Sequence, residues 1–509
     1  MTSAPREVEL KLEIEPRDVE RVKTRALETG AGALTTTLRS IYFDTRDEAL
    51  RKAGIALRIR ASGGGRIQAI KVRGEPTGLV LDRAEWETPV PGETPDFAAA
   101  SGTALAPVIE DETIRRRIEP LFEVLAQRTA GVTTHRDSEI EIVVDEGEVA
   151  ANGRSAPFAE VELELKRGRA ADLFDLALAL SEAIPMRLGF ATKSDRGYDL
   201  VAERAPKPVK AEPIRLESGM TSAAAFQAIA RSCLRQVILN EAAFRQTRDP
   251  VALHQTRVGL RRLRAAITLF KKLVVDERSE AIRADLRWAA SQLGQARDLD
   301  VFIAKVIEPA LAQDGETRAS RDTLVAYQRR RDQAYEAALV AVTSPRFQRV
   351  VLAAAAWIEA GMWLSEPEGG KRRERPIERH AARQLDRLWH SVLKRGARLD
   401  RLDEEARHQV RIEVKKLRYA TDFFGVLFVG HGAKKRRRAA LKRFETLQES
   451  LGELNDIAVG ATFGSADAAP GDGAWLAGIL GDQTPRVNVL LAEARHAHRG
   501  LVKLEPFWR

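Results

Sequence analysis

The stretches "EVELKLEIE", residues 7–15, and "EVELELKRG", residues 160–168, are near copies separated by most of the N-terminal region. Each alternates charged residues with Val or Leu, the period of a β-strand. On a strand, residues i, i+2 and i+4 share a face, so Glu7, Glu9 and Lys11 project one way and Val8, Leu10 and Leu12 the other. The second copy sets Glu160, Glu162, Glu164 and Lys166 against Val161, Leu163 and Leu165. The same parity groups Arg58 with Arg60, Lys71 with Arg73, and Arg83 with Glu85 and Glu87. A sheet with one solvated face would give such alternation without any function. Carboxylates, however, gather on two strands and Lys or Arg on others, a segregation that suits a closed barrel with a polar lumen. There the carboxylates would hold divalent cations through oxygen, and the basic side chains would bind a chain of phosphates.

Working outward, alternating segments recur at 7–13, 55–60, 67–73, 81–87, 139–145 and 160–166, with turn material at "SGGG", "RGEPTG", "DEGE" and "ANGR". Helical patterns at 16–30, 47–53 and 170–182 interrupt them. "APKPVKAEPIRLESG" has three prolines and no periodicity and reads as a linker. The expected organisation is a strand-rich domain at 1–203, a linker at 204–219 and a helical domain at 220–509. "SEPEGGKRRERP" splits the helical domain into halves at about 220–365 and 376–509.

The helical halves repeat. "HQTRVGLRRLR" at 254–264 matches "HQVRIEVKKLR" at 408–418, and "LGQARDLDV" at 293–301 matches "LGELNDIAV" at 451–459, so one unit is duplicated. At about 100° per residue, His254, Arg257, Arg261 and Arg264 lie on one side of a helix, as do His408, Arg411, Lys415 and Arg418. Once, such a stripe is a solvated helix face and its histidine a satisfied, partly buried residue. Twice, at matching positions, it is a retained device, because like charges at i, i+3 and i+4 disfavour a helix unless something anionic sits there. Asp298 and Asp456 read first as helix caps and otherwise as partners that orient the basic residues. "KKRRR" at 434–438 reads as a solvated, mobile segment.

Bulk properties agree. A chain of 509 residues requires more than one core, and 44% hydrophobic with 30% charged residues is a globular composition. The net charge of +9 and a pI near 9.6 suit polyanionic company. Cys233 alone excludes a disulfide framework and a cysteine metal site, and reads as a buried thiol. "MTSAPREVEL" lacks a signal-peptide layout and no long apolar window occurs, which places the expectation in the cytoplasm.

"EVELK", "YFDT" at 42–45, "GIALRIR" at 54–60, "IKVRG" at 70–74, "RAEWE" at 83–87, "VDEGEV" at 144–149, "AEVELELKRG" at 159–168 and "TKSDRGYDL" at 192–200 together resemble the CYTH domain of the triphosphate tunnel metalloenzymes. The resemblance implies an eight-stranded antiparallel tunnel barrel acting on triphosphates with Mg²⁺ or Mn²⁺. By motif match it implies Glu7, Glu9 and Lys11 as catalytic residues, and Glu7, Glu9, Asp145, Glu160, Glu162 and Glu164 on the metal side. It implies Lys11, Arg39, Arg58, Arg60, Lys71, Arg83, Arg128, Lys166, Lys193 and Arg196 on the substrate side. Arg73 and Glu85 have the right parity for the site or for a wall ion pair. "QRTAGVTTHRD" at 127–137 departs from the family in its small residues, leaving its strand and the choice between Arg128 and Arg136 open.

The repeat resembles the CHAD domain, which implies two pseudo-symmetric four-helix bundles around a basic groove that binds inorganic polyphosphate. His254, Arg257, Arg261, Arg264, His408, Arg411, Lys415 and Arg418 would line it. The expected function is hydrolysis of inorganic triphosphate beside a polyphosphate-holding module. The alternatives are a polyphosphate-binding or granule-associated protein with a weak or sensing tunnel, and a hydrolase of an organic triphosphate such as thiamine triphosphate. An adenylate cyclase would need base recognition, yet Trp86 has the outward parity. Nucleic acid ranks behind polyphosphate because no groove-reading motif occurs.

Overall fold

In a computed structural model, residues 6–27, 33–74, 78–314, 317–367, 369–466, 481 and 484–509 are described. Parts of two expected features, the helix end at 28–30 and the "RGEPTG" turn at 75–77, lie outside them. The chain divides into two compact units. One holds residues 1–209 together with 238–247 and 342–361, and the other holds 210–237, 248–341 and 362–509.

The first unit is built on β1 (Arg6–Glu13), β2 (Leu34–Asp44), β3 (Ile55–Ser62), β4 (Gly65–Val72), β5 (Leu81–Pro89), β6 (Glu119–His135), β7 (Ser138–Ala151), β8 (Arg154–Arg167) and β9 (Arg187–Leu188). All pairs are antiparallel in the order β5-β4-β3-β2-β6-β7-β8-β1-β9. A further β5–β1 pairing closes eight strands into a barrel. The longer helices are α1 (Val19–Leu27), α2 (Ala170–Leu180), α3 (Lys193–Val201), α4 (Ser222–Thr247), α5 (Pro250–Leu269), α6 (Ser279–Gln292), α7 (Gly294–Phe302), α8 (Arg318–Thr343), α9 (Pro345–Ala360), α10 (Ile377–Arg395), α11 (Glu404–Phe424), α12 (Ala433–Ala466) and α13 (Thr484–Val502).

The barrel is apolar outside and changes character along its inside. Outward residues of β2–β4, such as Ile41, Phe43, Leu57, Ile59 and Ile70, form a core covered from outside, with Trp86 packed against it as its parity required. Inside, one end is filled by Tyr42, Phe122, Val124, Val149, Phe158 and, from α3, Tyr198. Tyr42 stacks on Phe122 with ring centroids 4.7 Å apart, and Tyr198 meets Phe122 edge-on at 5.2 Å. The Tyr198 hydroxyl donates to fully buried Asp44 at 2.8 Å. This floor corrects the reading of "DEGE" as a turn. The segment runs straight through β7, where a Cβ on Gly147 would meet the Leu125 carbonyl oxygen at 2.0 Å, so glycine marks a close approach rather than a bend. β6 is continuous through the 127–137 stretch as far as His135, and Arg136 forms its turn at φ 53°.

Residues 204–217 lack regular structure, as their prolines require, but they are anchored: Ile214 and Leu216 are buried. Val209 exchanges two 2.9 Å hydrogen bonds with the Asn240 side chain.

In the second unit, α10, α11, α12 and α13 pack as a closed four-helix bundle, and α5 packs on α6, α7 and α11. α5 crosses α4 closely at Gly259, where a Cβ would meet Val237 Cγ2 at 2.8 Å. Cys233 is buried and its thiol is pushed up to about 11 by that burial. Among the described residues no helix is long and apolar enough to cross a membrane. The "KKRRR" run is helical, in the first turns of α12, which corrects its reading as a mobile segment.

Candidate functional site

Register and parity bring the charged faces of the strands into one lumen. Glu9, Lys11 and Glu13 of β1 stand opposite Glu164, Glu162 and Glu160 of β8, and Asp145 of β7 stands between Arg128 and Glu160. The resulting cavity is about 310 Å³, lined by the cations Lys11, Arg58, Arg60, Lys71, Arg83, Arg128, Lys166 and Lys193 and by Glu7, Glu85, Glu87, Glu141, Glu162 and Glu164. Side-chain exposure along β8 rises from 0% at Glu160 through 11% at Glu162 and 25% at Glu164 to 37% at Lys166, so the cavity opens at the Lys166 end and closes on the aromatic floor.

The deepest layer is an ion box. Lys11 Nζ lies 2.8 Å from Glu160 Oε1 and 2.5 Å from Glu162 Oε1, while Lys193 Nζ lies 2.5 Å from Glu160, 3.0 Å from Glu162 and 2.7 Å from Asp145. Arg128 completes it, with Nη2 2.6 Å from Asp145 and 3.2 Å from Glu162. Burial opposes the charged forms of Lys11, Lys193, Asp145 and Glu162, but the pairing outweighs it. Glu162 and Asp145 stay below the ordinary carboxylate range, and Lys11 and Lys193 above the ordinary lysine range.

Nearer the mouth, Glu7 accepts from Lys71 at 2.8 Å and from Arg83 at 2.9 Å, and these cations overcome its burial and hold it low. Arg83 also reaches Glu9 at 2.8 Å. Glu9 is nevertheless pushed up, by burial first and then by Glu162. Its register partner Glu164 is pushed up by burial, with Glu7 and Glu141 adding to it, and Glu85 is pushed up by burial and Glu7.

Carboxylates held above their usual range in one cavity are what a divalent cation relieves. Asp145, Glu160 and Glu162 bring carboxylate oxygens within 4.8 Å of one another, and Glu160 Oε2 is buried without a hydrogen-bond partner. Lys11, Lys193 and Arg128 already neutralise that trio, so the carboxylates that best fit a cation held by oxygen are the raised register partners Glu9 and Glu164.

Two substrate-side expectations fall elsewhere. Arg39 shares its β2 face with Ile41 and Phe43, so it projects outside the barrel, pairing with Glu123 at 2.6 Å and Glu93 at 3.0 Å. Arg196 turns from the cavity to Glu13 at 2.9 Å. Arg73 pairs with Asp195 near the surface, and Glu85 forms the wall pair with Lys71 at 2.9 Å. Arg136 pairs with Asp175 at the β6–β7 turn, leaving the lumen to Arg128. Sequence reasoning did not single out Tyr42, Thr192 and Ser194, which also line the cavity. Thr192 and Asp195 form a capping box, so α3 points its positive end at the lumen.

In the second unit, α5 and α11 bring the two stripes together. A cavity of about 640 Å³ is lined by His254, Arg261, Lys415 and Arg418 of the expected set, joined by Arg262, Tyr419, Asp422, Arg437 and Gln448. His254 is pushed down to about 4, and Lys415 to about 8, by burial and then by neighbouring basic residues, Arg411 and Arg261 in the case of Lys415. His254 Nδ1 has no hydrogen-bond partner, whereas His408 Nδ1 sits 2.8 Å from Asn455 Oδ1. Arg257 donates to the Leu293 carbonyl at 2.7 Å and to that of Gly294, and lies 3.6 Å from Asp298. Arg264 lies instead near Arg287. Asp298 and Asp456 occupy helix interiors, so they orient basic residues and do not cap helices.

A closed barrel with an acid- and base-lined lumen is followed by a duplicated helical unit that carries basic stripes. Residues 5–198 match the CYTH domain and residues 228–464 the CHAD domain, and the chain belongs to the proteins that combine the two. It is 30% identical over 194 residues to an inorganic triphosphatase of Haemophilus influenzae, a match covering 38% of this chain and spanning about half, 54%, of that relative. Among solved structures it is similar to the CHAD domain of Ricinus communis, at 29% identity and TM-score 0.47 over 59% of this chain and 98% of that one. A Hippeastrum protein for which a dominant triphosphatase activity is described aligns at 17% identity and TM-score 0.29 over 37% of this chain and 95% of that one.

Proposed function

We propose that the tunnel hydrolyses inorganic triphosphate with the help of Mg²⁺ or Mn²⁺, and that the helical unit binds inorganic polyphosphate. The observation that carries this reading is the charge content of a blind cavity. Eight cations line it, and a triphosphate brings about four negative charges for them to bind. Carboxylates crowded among them, Glu9 and Glu164 held above their usual range, suit one divalent cation. Glu7, Glu9, Glu162 and Glu164 would hold it, and it would neutralise charge on the phosphate oxygens.

The chain's own residues account for the remaining steps. Lys166 and Arg60 meet the polyanion at the mouth, and Lys71, Arg83, Arg58 and Arg128 fix the phosphates further in, where Lys11 and Lys193 supply charge without solvent competition. Glu85 lines the cavity with proton affinity raised by burial, which suits it to take a proton from water attacking the terminal phosphorus. An inorganic substrate is favoured because Tyr42, the one aromatic residue among the described residues lining the cavity, is buried against Phe122 and offers a base or a thiazolium little ring surface. The two facing basic stripes support polyphosphate as the partner of the helical unit, in a cytoplasmic protein able to sit on polyphosphate granules.

The test is phosphate release from tripolyphosphate, ATP and thiamine triphosphate by the intact protein with Mg²⁺, with Mn²⁺ and with chelator. Metal-dependent turnover preferring tripolyphosphate is expected. Absence of turnover on all three, with tight polyphosphate binding, would overturn the hydrolase reading in favour of a binding or sensing tunnel.

A further inference from the structure

Next to the ion box, a second set of partly buried charges stands outside the residues that line the cavity. Glu13, the last residue of β1, accepts from Arg196 Nη2 at 2.9 Å through Oε1 and from Arg245 Nη2 at 3.0 Å through Oε2. Arg196 Nη2 lies in turn 3.9 Å from Glu160 Oε2, the buried oxygen without a hydrogen-bond partner, while the other oxygen of Glu160 receives Lys11 and Lys193. Arg245 is braced from its own helix by Glu241, with Nε 3.6 Å from its Oε1, and Glu241 also faces Arg187 at 3.4 Å.

Arg245 belongs to the last turns of α4, inside the stretch that matches the CHAD domain, yet residues 238–247 are packed within the tunnel unit. Four links therefore run from α4 to the lumen: Arg245 to Glu13, Glu13 to Arg196, Arg196 to Glu160, and Glu160 to the two lysines.

We propose that Arg245 is a positioning residue of the tunnel, holding Glu13 so that Arg196 keeps Glu160 oriented toward Lys11 and Lys193. The inference rests on the triphosphatase reading for its kinetic consequence. Without Arg245, Glu13 keeps Arg196 as its hydrogen-bonded cation, with Arg187 near its register position, and Arg196 is drawn toward Glu13 and away from Glu160 Oε2. The two ammonium groups then lose a fixed direction. A group that orients residues of a site from behind costs roughly 10- to 100-fold in affinity or activity when removed.

The experiment compares full-length protein carrying Arg245→Met, Arg245→Lys, Arg196→Met and the Arg245→Met/Arg196→Met pair. Three quantities are read: kcat and KM for tripolyphosphate, calorimetric binding of tripolyphosphate in chelator, and the thermal midpoint. Arg245→Met is expected to lower kcat and to weaken metal-free binding, each by about tenfold or more. Arg245→Lys should recover most of the loss. The double variant should be no worse than Arg196→Met alone, because the two act in series. Losses that multiply in the double variant, or an Arg245→Met protein with parental kcat and binding, would overturn the inference. If Arg245→Met does not fold, Glu13→Gln, which keeps the side-chain shape, is judged by the same criterion. An inactive parent would sink the triphosphatase reading instead, and the chelator binding series would still decide the role of Arg245.

Discussion

Lys11 and Lys193 share the same two carboxylates, each ammonium lying within 3.0 Å of Glu160 Oε1 and Glu162 Oε1. All four side chains are nearly inaccessible, so no member can be removed without leaving an uncompensated charge in a medium that solvates it poorly. Lys11→Met is therefore expected to lower unfolding free energy by about 3–5 kcal/mol in chelator, measured by denaturant titration. A loss under about 1 kcal/mol would mean that water, not Lys11, satisfies the box.

Glu9→Gln keeps shape but removes the carboxylate that Arg83 and the proposed cation share. Its expected outcome is a fall in tripolyphosphate turnover of roughly 100-fold with a near-parental circular dichroism spectrum. Turnover at the parental rate would remove Glu9 from the catalytic set.

The aromatic floor gives a prediction independent of the chemistry. A Cβ at Gly197 would fall 2.0 Å from Phe122 Cε2, inside the floor. Gly197→Ala should cost about 1–3 kcal/mol, read as a drop in thermal midpoint, as Phe122 is driven from its stack with Tyr42.

How far the sequence carried this fold depends on whether a strand's inner face keeps one character. β1 and β8 are charged inside along much of their length, so alternation exposed both them and most of the lumen: Glu7, Glu9, Lys11, Glu162, Glu164 and Lys166. β6 passes from the floor, at Phe122 and Val124, to the ion box at Arg128, through small Ala126, and its alternation is blurred for that reason. Arg39 could have been placed correctly, since it has the parity of Ile41 and Phe43, the apolar face of β2. Arg196 could not: it is on a helix, and its direction is set by Glu13 and, beyond that, by Arg245, a partner remote in sequence. In the repeat, periodicity found both stripes, but not the contact of Arg257 with the Leu293 carbonyl, which spacing alone does not encode.

The helical groove predicts salt-sensitive binding that depends on both halves. Arg261→Glu and Lys415→Glu should each weaken polyphosphate binding and flatten its dependence on salt, measured by titration at several ionic strengths against DNA at matched salt. Equal affinity for DNA and polyphosphate at every salt concentration would reduce the groove to generic electrostatics.

The same groove predicts a pH dependence whose sign follows from Lys415. Burial, with Arg411 and Arg261, depresses its ammonium to about 8, whereas a bound polyanion favours the charged form and moves it back upward. Below about pH 8 the lysine is charged in both states, and affinity is flat in this respect. Above it, binding must take up a proton, so affinity falls as pH rises toward the value in the complex. Calorimetry at pH 8.5 in two buffers of different ionisation enthalpy should reveal uptake of a fraction of a proton per site, and Lys415→Arg, charged throughout, should abolish both the uptake and the slope. An uptake that persists unchanged in Lys415→Arg would assign the proton to another group and remove Lys415 from the binding surface.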